Sequence, residues 1–446
     1  MSDPRSVSPS THAPIAPAGL PAGATVCTAC ALLCEDGVVR PADHRSEHLC
    51  ERGVESFRRH QAAATTTVAA TIDGRPAAAA AAIAAAATRL AGARRVLVTG
   101  LEHLTIEGVT SACNFAERIG AAIAPAVDEG RHPGGSTVAR CGEITAAWEE
   151  LRDRADLVIF WGHDPADSHP RFVERFVAPV LSTARRTIAV GTSPLRFPPS
   201  PDHVHLPLDD DDDDVDLARL LLADLLERPS GAAPARLRDA ARALRSAIDT
   251  ARCVGIVTGR LDPLGLSSWG VIEVVRALSR RLPAFQVPLH AGSHAPNAAG
   301  AKAVLTWRYG AAASAARAGN GGSPAEAIDL VATGAVDAIL TLGRIPHSLD
   351  EAIRQAIASG RAVKDGGLDP RRVIRMAPEA PDSPDGVWVR SLELFEETGT
   401  LLRADGRTIE LAGDATRAHV AAVALLAELQ EQLAATVPTT PQGAKA

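Results

Sequence analysis

The feature that most constrains the fold is a short apolar strand followed by a helix, a unit that recurs along most of the chain. Strands are predicted at 95–100, 157–160, 187–190, 253–258 and 338–342. These segments are apolar on both faces, which is typical of strands buried in a parallel sheet. Their alternation with helices predicts doubly wound, Rossmann-like α/β domains. Ligands of such domains lie at the carboxyl ends of the strands.

Shifts in composition divide the chain into six parts. Six consecutive aspartates at 209–214 predict a solvated turn or helix start, and a break at 227–231 separates two rounds of strands and helices. A hairpin around an Asp-Gly pair precedes the last helix. The predicted parts are a disordered leader (1–24), a small four-cysteine domain (25–75), a first α/β domain (76–230), a second α/β domain (231–375), a C-terminal segment with hairpin and helix (376–435) and a disordered tail (436–446).

Charge and composition exclude several classes of protein. The 446 residues have a net charge of −7, and only 3% are aromatic. Such a chain lacks the basic surface and the stacking platforms of nucleic-acid-binding proteins. No apolar run reaches the roughly 20 residues of a membrane span, and the leader lacks the apolar core of a signal peptide. We therefore expect a cytoplasmic protein that binds neither nucleic acid nor membranes.

Four of the seven cysteines lie near the start of the chain. Cys27, Cys30, Cys34 and Cys50 are spaced C-x2-C-x3-C-x15-C, so three thiolates on one loop and a fourth beyond it can surround one soft metal centre. A [4Fe-4S] cluster fits this spacing best. Zinc comes second, because its sites more often use two separated cysteine pairs, and unmetallated thiols are the third interpretation. Disulfides are not expected in a cytoplasmic chain.

The cysteine segment is also the first of six blocks that, in this order, resemble the B subunit of formylmethanofuran dehydrogenase, a member of the molybdopterin oxidoreductase superfamily. The resemblance extends from near residue 26 to near residue 411, and its most distinctive block includes Trp161 and His163. The blocks are CTACALLCED (27–36), AERIGA (116–121), WGHDP with SHPR (161–165 and 168–171), HAPNAAG (294–300), VLTWRYG (304–310) and GTLLRADG (399–406).

The resemblance implies a molybdopterin-oxidoreductase-like fold with a [4Fe-4S] cluster in the N-terminal domain. It also implies two pterin dithiolenes that hold tungsten or molybdenum between the α/β domains. A cysteine or selenocysteine completes the metal's ligands in this family, and counting back from Gly120 places that residue near Ile106, just before Glu107. An isoleucine offers no lone pair to a metal. Cys113 lies about 10 Å further along a helix and cannot replace the missing ligand.

A related assembly of methylotrophic bacteria, the formyltransferase/hydrolase complex, contains a B subunit of this kind without a redox centre. The assembly moves a formyl group from tetrahydromethanopterin to a methanofuran-like carrier and hydrolyses it to formate. Resemblance to this form implies a non-catalytic structural subunit, with no catalytic or cofactor-binding residues and no molybdopterin or tungstopterin. It also implies three partners: an amidohydrolase-like formyl hydrolase, a formyltransferase and a β-helix protein like the C subunit of the dehydrogenase.

Two other functions remain open at this point. One is an active tungsten or molybdenum oxidoreductase with an unusual metal ligand, and the other is an iron–sulfur module that relays electrons. Histidines offer little help in the choice. His163, His169 and His294 lie in the blocks and His290 just before one, but no two of these four form the HxH or HExxH motif of a hydrolytic metal site. We expect them to be hydrogen-bonded structural residues that line a former cofactor cleft.

Overall fold

The structure is a computed structural model that describes residues 24–40, 45–64, 68–126, 141–178, 185–199, 202–209, 213–259, 266–289, 295–310, 316–317, 327–359, 367–383, 385–413 and 420–436. The predicted leader apart from Ala24, the predicted tail apart from Thr436, and both His290 and His294 lie outside this part of the chain. Within these ranges, every helix is too short or too polar to span a bilayer.

The described residues form 18 strands and 12 helices. The strands are β1 (Ala24–Thr25), β2 (Gly37–Arg40), β3 (Arg45–Glu47), β4 (Ala70–Ile72), β5 (Arg75–Ala77), β6 (Val96–Thr99), β7 (Ala122–Ile123), β8 (Leu157–Trp161), β9 (Arg186–Gly191), β10 (Val204–Pro207), β11 (Val254–Thr258), β12 (Ala284–Pro288), β13 (Ala316–Arg317), β14 (Ala338–Leu342), β15 (Val373–Ala377), β16 (Val387–Arg390), β17 (Thr398–Leu402) and β18 (Thr408–Ala412). The helices are α1 (Glu51–Ala64), α2 (Ala79–Ala91), α3 (Ile106–Ile119), α4 (Trp148–Arg154), α5 (Pro165–Ser168), α6 (Asp213–Leu225), α7 (Ala235–Asp249), α8 (Leu266–Leu278), α9 (Ala298–Tyr309), α10 (Ala327–Ala332), α11 (His347–Ala358) and α12 (Ala422–Thr436).

One sheet has five parallel strands in the order β10-β9-β8-β11-β12. By position along the chain this is the order 3-2-1-4-5 of a doubly wound fold, whose direction reverses between β8 and β11. Both faces are covered, as expected for parallel strands. Alternate residues of β8 enter opposite cores: Ile159 packs among residues of α6, α7 and α8, whereas Phe160 packs with Trp148 of α4.

The other large sheet has eight strands in the order β13-β7-β6-β14-β15-β16-β4-β5. Its central strands β7, β6, β14, β15 and β16 are parallel, in the doubly wound order 2-1-3-4-5, and the outer strands are antiparallel. The chain reverses its direction of winding between β6 and β14. One face packs against α2, α3 and α12, and the other against α10 and α11.

The strands of the two sheets are interleaved along the chain, which differs from the predicted division at residue 230. The chain builds β4 to β7, then all five strands of the smaller sheet, and then returns to the larger sheet at β13. The segments 76–230 and 231–375 therefore each contribute strands to both sheets. The reason is that β8 pairs with β11 across the predicted break, and the apolar pattern of a buried strand does not specify its neighbour.

Two local predictions also differ from the structure. Pro76 lies in β5, at the edge of the eight-stranded sheet, where a missing N–H is tolerated, and α2 begins only at Ala79. In the aspartate run, Asp213 and Asp214 do begin a helix, but both are buried rather than solvated. Asp213 accepts a hydrogen bond from Arg236 at 2.6 Å, and this ion pair compensates for the burial of its charge.

The four-cysteine domain consists of the antiparallel strands β1 to β3 and helix α1. Cys27, Cys30, Cys34 and Phe57 pack in one cluster with residues of the five-stranded sheet. The Asp405–Gly406 pair lies in the turn of a hairpin formed by β17 and β18, and α12 then packs on α2 and α3. The small domain and the hairpin thus lie beside the carboxyl ends of strands, where a ligand of this fold would bind.

Candidate functional site

A cavity of about 750 Å³ lies at the carboxyl ends of the parallel strands of the eight-stranded sheet. It is centred on the reversal point between β6 and β14, the usual ligand position in open α/β sheets. Glu102 and His103 follow β6, and Gly343 and Arg344 follow β14. The lining also includes four residues of the four-cysteine domain, Thr28, Ala29, Ser56 and Arg59. The cavity is therefore an interdomain cleft.

Two glycines allow the strand ends to approach each other here. Gly100 and Gly343 have φ angles of +89° and +64°, in the left-handed region that disfavours residues with a Cβ. A Cβ on Gly100 would collide with the carbonyl of Leu342, and one on Gly343 would lie 2.7 Å from the Cβ of His103. The floor of the cavity therefore requires glycine at both strand ends.

Among the described residues that line the cavity, carboxylates outnumber arginines. The acidic lining residues are Glu102, Asp350, Glu379, Asp382 and Glu393, and the arginines are Arg59, Arg344 and Arg375. Arg344 is paired with both Glu379 (2.6 Å) and Glu393, and Arg375 with Asp350 (2.8 Å). Phosphate-bearing ligands are usually held by guanidinium groups free to form a fork to the phosphate. This lining therefore does not fit the phosphates of a pterin cofactor.

His103 adds no positive charge to the cavity. Burial, together with the guanidinium of Arg344, lowers the pKa of His103 to about 3. The imidazole is therefore neutral at pH 7, and Arg59 is the one arginine in the lining without a carboxylate partner among the described residues. A single exposed arginine is a weak basis for binding a polyanion.

Ile106 stands where the resemblance places the metal-ligating cysteine. It is the first residue of α3, and the Thr105 hydroxyl caps the helix by accepting a hydrogen bond from the N–H of Gly108 at 3.1 Å. Its side chain packs against the core between the eight-stranded sheet and its helices, whereas Glu102 and His103 line the cavity. The predicted helix start is therefore present, with an aliphatic side chain that belongs to the core.

Glu107, the next residue, has a structural role. Its carboxylate accepts hydrogen bonds from the backbone N–H and the hydroxyl of Thr400, both at 2.9 Å. This contact fixes β17 against α3.

The structure brings the four predicted metal ligands into one region. Cys27, Cys30 and Cys34 are buried on a single loop, which a hydrogen bond from the N–H of Cys27 to the carbonyl of Cys34 closes at 2.8 Å. Cys50 is half-buried and directly precedes α1. Burial is the main cause that raises the pKa of Cys27, and the sulfurs of Cys34, Cys30 and Cys50 add to it. All four thiols are thus near enough to interact electrostatically.

The donor set fits a soft metal centre, since it consists of four cysteine sulfurs. Burial also raises the pKa of Cys30, to about 12, so this thiol is protonated at pH 7 and a metal would have to displace its proton. Within the described ranges, no three His, Cys, Asp or Glu side chains already have the arrangement of a closed metal site. The four cysteines are neighbours whose sulfurs would converge on binding.

His163 and His169 lie away from the cavity. Both bond to the Ser168 hydroxyl, at 3.0 Å from Nε2 of His163 and 2.9 Å from Nδ1 of His169. His163 follows β8 at the reversal point of the five-stranded sheet, and a Cβ on Gly259 would overlap its ring. The two histidines are hydrogen-bonded, as expected, but they occupy the other sheet's reversal point instead of lining the cavity.

The other three cysteines lie outside the four-cysteine domain. Cys113 and Cys253 are buried in apolar cores, as expected for small apolar residues, whereas Cys141 is only half-buried. Burial raises the pKa of Cys113, and Tyr309 lies in hydrogen-bonding contact with its sulfur. Tyr309 also donates to Glu117 at 2.9 Å, which links α3 to α9.

A buried ion-pair network at the hairpin turn was not predicted. Arg403 is fully buried, forms two hydrogen bonds to the Asp405 carboxylate and one to Glu149, and stacks on the ring of Trp148 at 4.7 Å. Arg407 continues the network from Glu149 to Glu35, at 2.8 Å, in the cysteine loop. The sequence signal that could have indicated this network is the LRAD motif (402–405) in the last block of the resemblance. The network joins the hairpin, α4 and the four-cysteine domain.

Glu397 predicts a pH dependence of stability. Burial raises its pKa to about 7, against the effect of the hydrogen bond it accepts from the N–H of Ala422. A carboxyl with a raised pKa in the folded state stabilises the fold at low pH, and this stability is lost as the pH rises through 7. We expect Glu397→Gln to gain stability relative to the unsubstituted chain, by about 3 kcal/mol between pH 4.5 and 8. Urea denaturation across this range measures the difference, and a constant difference at all pH values would contradict it.

Comparisons with known proteins bear on the fold. No family model matches the sequence, and neither does any curated protein. A chain of the formyltransferase/hydrolase complex from Methylorubrum extorquens, solved by X-ray crystallography with methylofuran, is similar in structure, with a TM-score of 0.63 and 20% identity. The match covers 82% of this chain and 99% of that one.

Acetylene hydratase from Pelobacter acetylenicus is also similar, with a TM-score of 0.57 and 11% identity over 94% of this chain and 70% of the hydratase. Identities this low show a shared fold and no more. They confirm the predicted fold class as an α/β architecture of several parts, with doubly wound parallel sheets and a small N-terminal unit that carries the cysteines.

Proposed function

We propose that this chain is a non-catalytic structural component of a formyltransferase/hydrolase complex, equivalent to its B subunit. The complex would transfer a formyl group from tetrahydromethanopterin to a methanofuran-like carrier and release formate, within a one-carbon oxidation pathway. The ancestral metallopterin redox site is lost in this proposal. The observation that carries it is Ile106, a partly buried aliphatic residue that packs against the core at the helix start where the family's metal ligand would stand.

Two further observations support the proposal. The described residues that line the cavity proposed to have held the cofactor include more carboxylates than arginines, and two of these three arginines are already paired. The chain also spans almost the full length of the similar chain from the formyltransferase/hydrolase complex, but only 70% of acetylene hydratase. The size of the protein thus favours a component of such a complex.

The four cysteines keep a structural role in this proposal. A [4Fe-4S] cluster or a zinc ion at Cys27, Cys30, Cys34 and Cys50 would stabilise the small domain without taking part in the reaction. The partners would be an amidohydrolase-like formyl hydrolase, a formyltransferase and the β-helix protein. The proposal therefore also requires that this chain has surfaces that bind these three partners.

The second candidate is an active tungsten or molybdenum oxidoreductase, which the open cavity at the sheet's reversal point favours. The reversal point is the usual ligand position in this type of fold, and about 750 Å³ is room for a substantial ligand. An exogenous ligand to the metal would then have to replace the missing cysteine.

Purification of the intact complex, through an affinity tag on this chain, separates the two candidates. We expect the three partners to co-purify and the complex to release formate from formyl-tetrahydromethanopterin with no electron acceptor present. A matched assay of the same preparation contains a viologen dye. Dye reduction that depends on the formyl carrier would contradict the proposal, and so would purification of the chain without partners.

A further inference from the structure

Arg171 joins the two segments that carry the four cysteines. Its buried guanidinium donates a pair of hydrogen bonds, of 3.0 and 2.9 Å, to the carboxylate of Asp36, two residues after Cys34. It also donates to the backbone carbonyl of His48, two residues before Cys50. A forked guanidinium–carboxylate pair specifies geometry as well as energy. One side chain from outside the small domain thus sets the spacing between the three-cysteine loop and Cys50.

Both cysteine segments contain a backbone conformation that needs support. Leu33, directly before Cys34, has a φ of +48°, and His48 has a φ of +57°. Residues other than glycine rarely adopt this left-handed region, and they persist there only where the surroundings hold them. The bond from Arg171 to the carbonyl of His48 is one such support, next to a cysteine ligand.

Arg175 places a second guanidinium at the same loop. Its backbone N–H donates to the carbonyl of Arg171 at 3.0 Å, so the two side chains lie one turn apart on the same side of the segment. Its Nη1 lies 3.6 Å from Asp36 Oδ1 and is buried without a hydrogen-bond partner among the described residues. The guanidinium is also in hydrogen-bonding contact with the Cys34 thiol.

We propose that Arg171 and Arg175 are positioning residues of a thiolate-held metal centre at the four cysteines. Arg171 fixes the two ligand-bearing segments relative to each other through its fork to Asp36 and its bond to His48. Arg175 supplies positive charge and an N–H donor at the sulfur of Cys34. The proposal rests on the metal centre alone and does not depend on the formyl-transferring activity.

The two roles predict different responses to conservative substitution. We expect Arg175→Met to weaken metal retention by about 10- to 100-fold, as measured for residues that support metal ligands. Arg175→Lys should recover much of this loss, because lysine keeps the charge beside Cys34. Arg171→Lys should not restore metal retention to the level of the unsubstituted chain. An ammonium group cannot form the fork to Asp36 while bonding to His48.

The experiment uses the full chain purified without oxygen, with iron, acid-labile sulfide and zinc measured per chain during a chelator titration. Electron paramagnetic resonance spectra and the midpoint potential are recorded if iron is present. Loss of the charge at Arg175 should move the potential to more negative values, because the reduced cluster carries more negative charge. A purely structural role would leave the spectrum and the potential of the remaining clusters unchanged.

The matched control is Arg58→Met, which removes an exposed arginine of α1 whose ion pair among the described residues is with Glu55. It should retain metal like the unsubstituted chain. Equal retention in Arg175→Met and the unsubstituted chain would overturn the proposal, as would full recovery in Arg171→Lys. A chain that binds neither iron nor zinc would also overturn it. Partner co-purification and formate release, which test the proposed function, are separate readouts and would be unaffected by this failure.

Discussion

Replacement of Arg403 by methionine is expected to lower the free energy of unfolding by about 3–5 kcal/mol, one of the two largest single effects in this protein. Arg403 is fully buried and provides both hydrogen bonds of a fork to Asp405, whose carboxylate is also buried. Without Arg403, the main remaining partner of the Asp405 carboxylate is the backbone N–H of Trp148, at 2.8 Å. An uncompensated charge in the interior is the dominant cost.

Two controls separate this burial effect from a general loss of charge. Arg242→Met removes an exposed ion pair with Asp239 and should cost less than about 1 kcal/mol. The double variant Arg403→Met/Asp405→Asn should recover part of the lost stability, because it no longer buries the unpaired carboxylate of Asp405. Urea denaturation measures all three variants. An effect of Arg403→Met no larger than that of Arg242→Met would show that the network contributes little.

Trp161→Ala is the second large prediction, with an expected loss of about 3–5 kcal/mol. Trp161 ends β8, is fully buried, and packs in the core between the five-stranded sheet and helices α6 to α8. Its indole N–H has no hydrogen-bond partner within the described residues, so the stabilisation comes from packing. Trp161→Phe keeps most of the ring volume and should cost clearly less.

The same variants test whether the distinctive block around Trp161 is structural. In complexes purified to equal assembly, Trp161→Ala and His163→Ala should release formate at nearly the rate of the unsubstituted complex. His163 bonds to Ser168, and its ring fills the space beside Gly259. A large loss of rate in an intact complex would assign these residues a direct role in the reaction.

Strands that are apolar on both faces could be predicted from the sequence, because their signal is local. The strand at 338–342 is found at Ala338–Leu342, and the prediction for 253–258 differs from β11 by one residue. The strand Val373–Ala377 was missed, because Arg375 interrupts its apolar run. The structure shows why an arginine is tolerated there: Asp350 of α11 neutralises it at 2.8 Å.

The pairing of strands could not be predicted, because it depends on contacts between distant segments. This is why a sequential division placed the domain boundary near residue 230, whereas β8 and β11 lie side by side. The same limit applies to the candidate site. The helix start at Ile106 followed from counting back from Gly120, but Arg344, Glu379 and Glu393 meet only because three strands end at one edge.

The residues that support the cysteines could be predicted from the sequence only in part. Arg171 lies in a block that the resemblance had singled out, yet nothing in its local sequence indicates that it reaches Asp36 and His48. A residue-type pattern can identify metal ligands such as Cys27 or Cys50. It does not identify the side chains that hold them in place, because those contacts cross domain boundaries.

The central claim is that the cleft between the small domain and the eight-stranded sheet has lost its metallopterin. Elemental analysis for tungsten and molybdenum, on the complex purified without oxygen, tests this claim most directly. We predict that both metals are far below one atom per chain, whatever the iron and zinc content. One tungsten or molybdenum atom per chain, retained through purification, would contradict it.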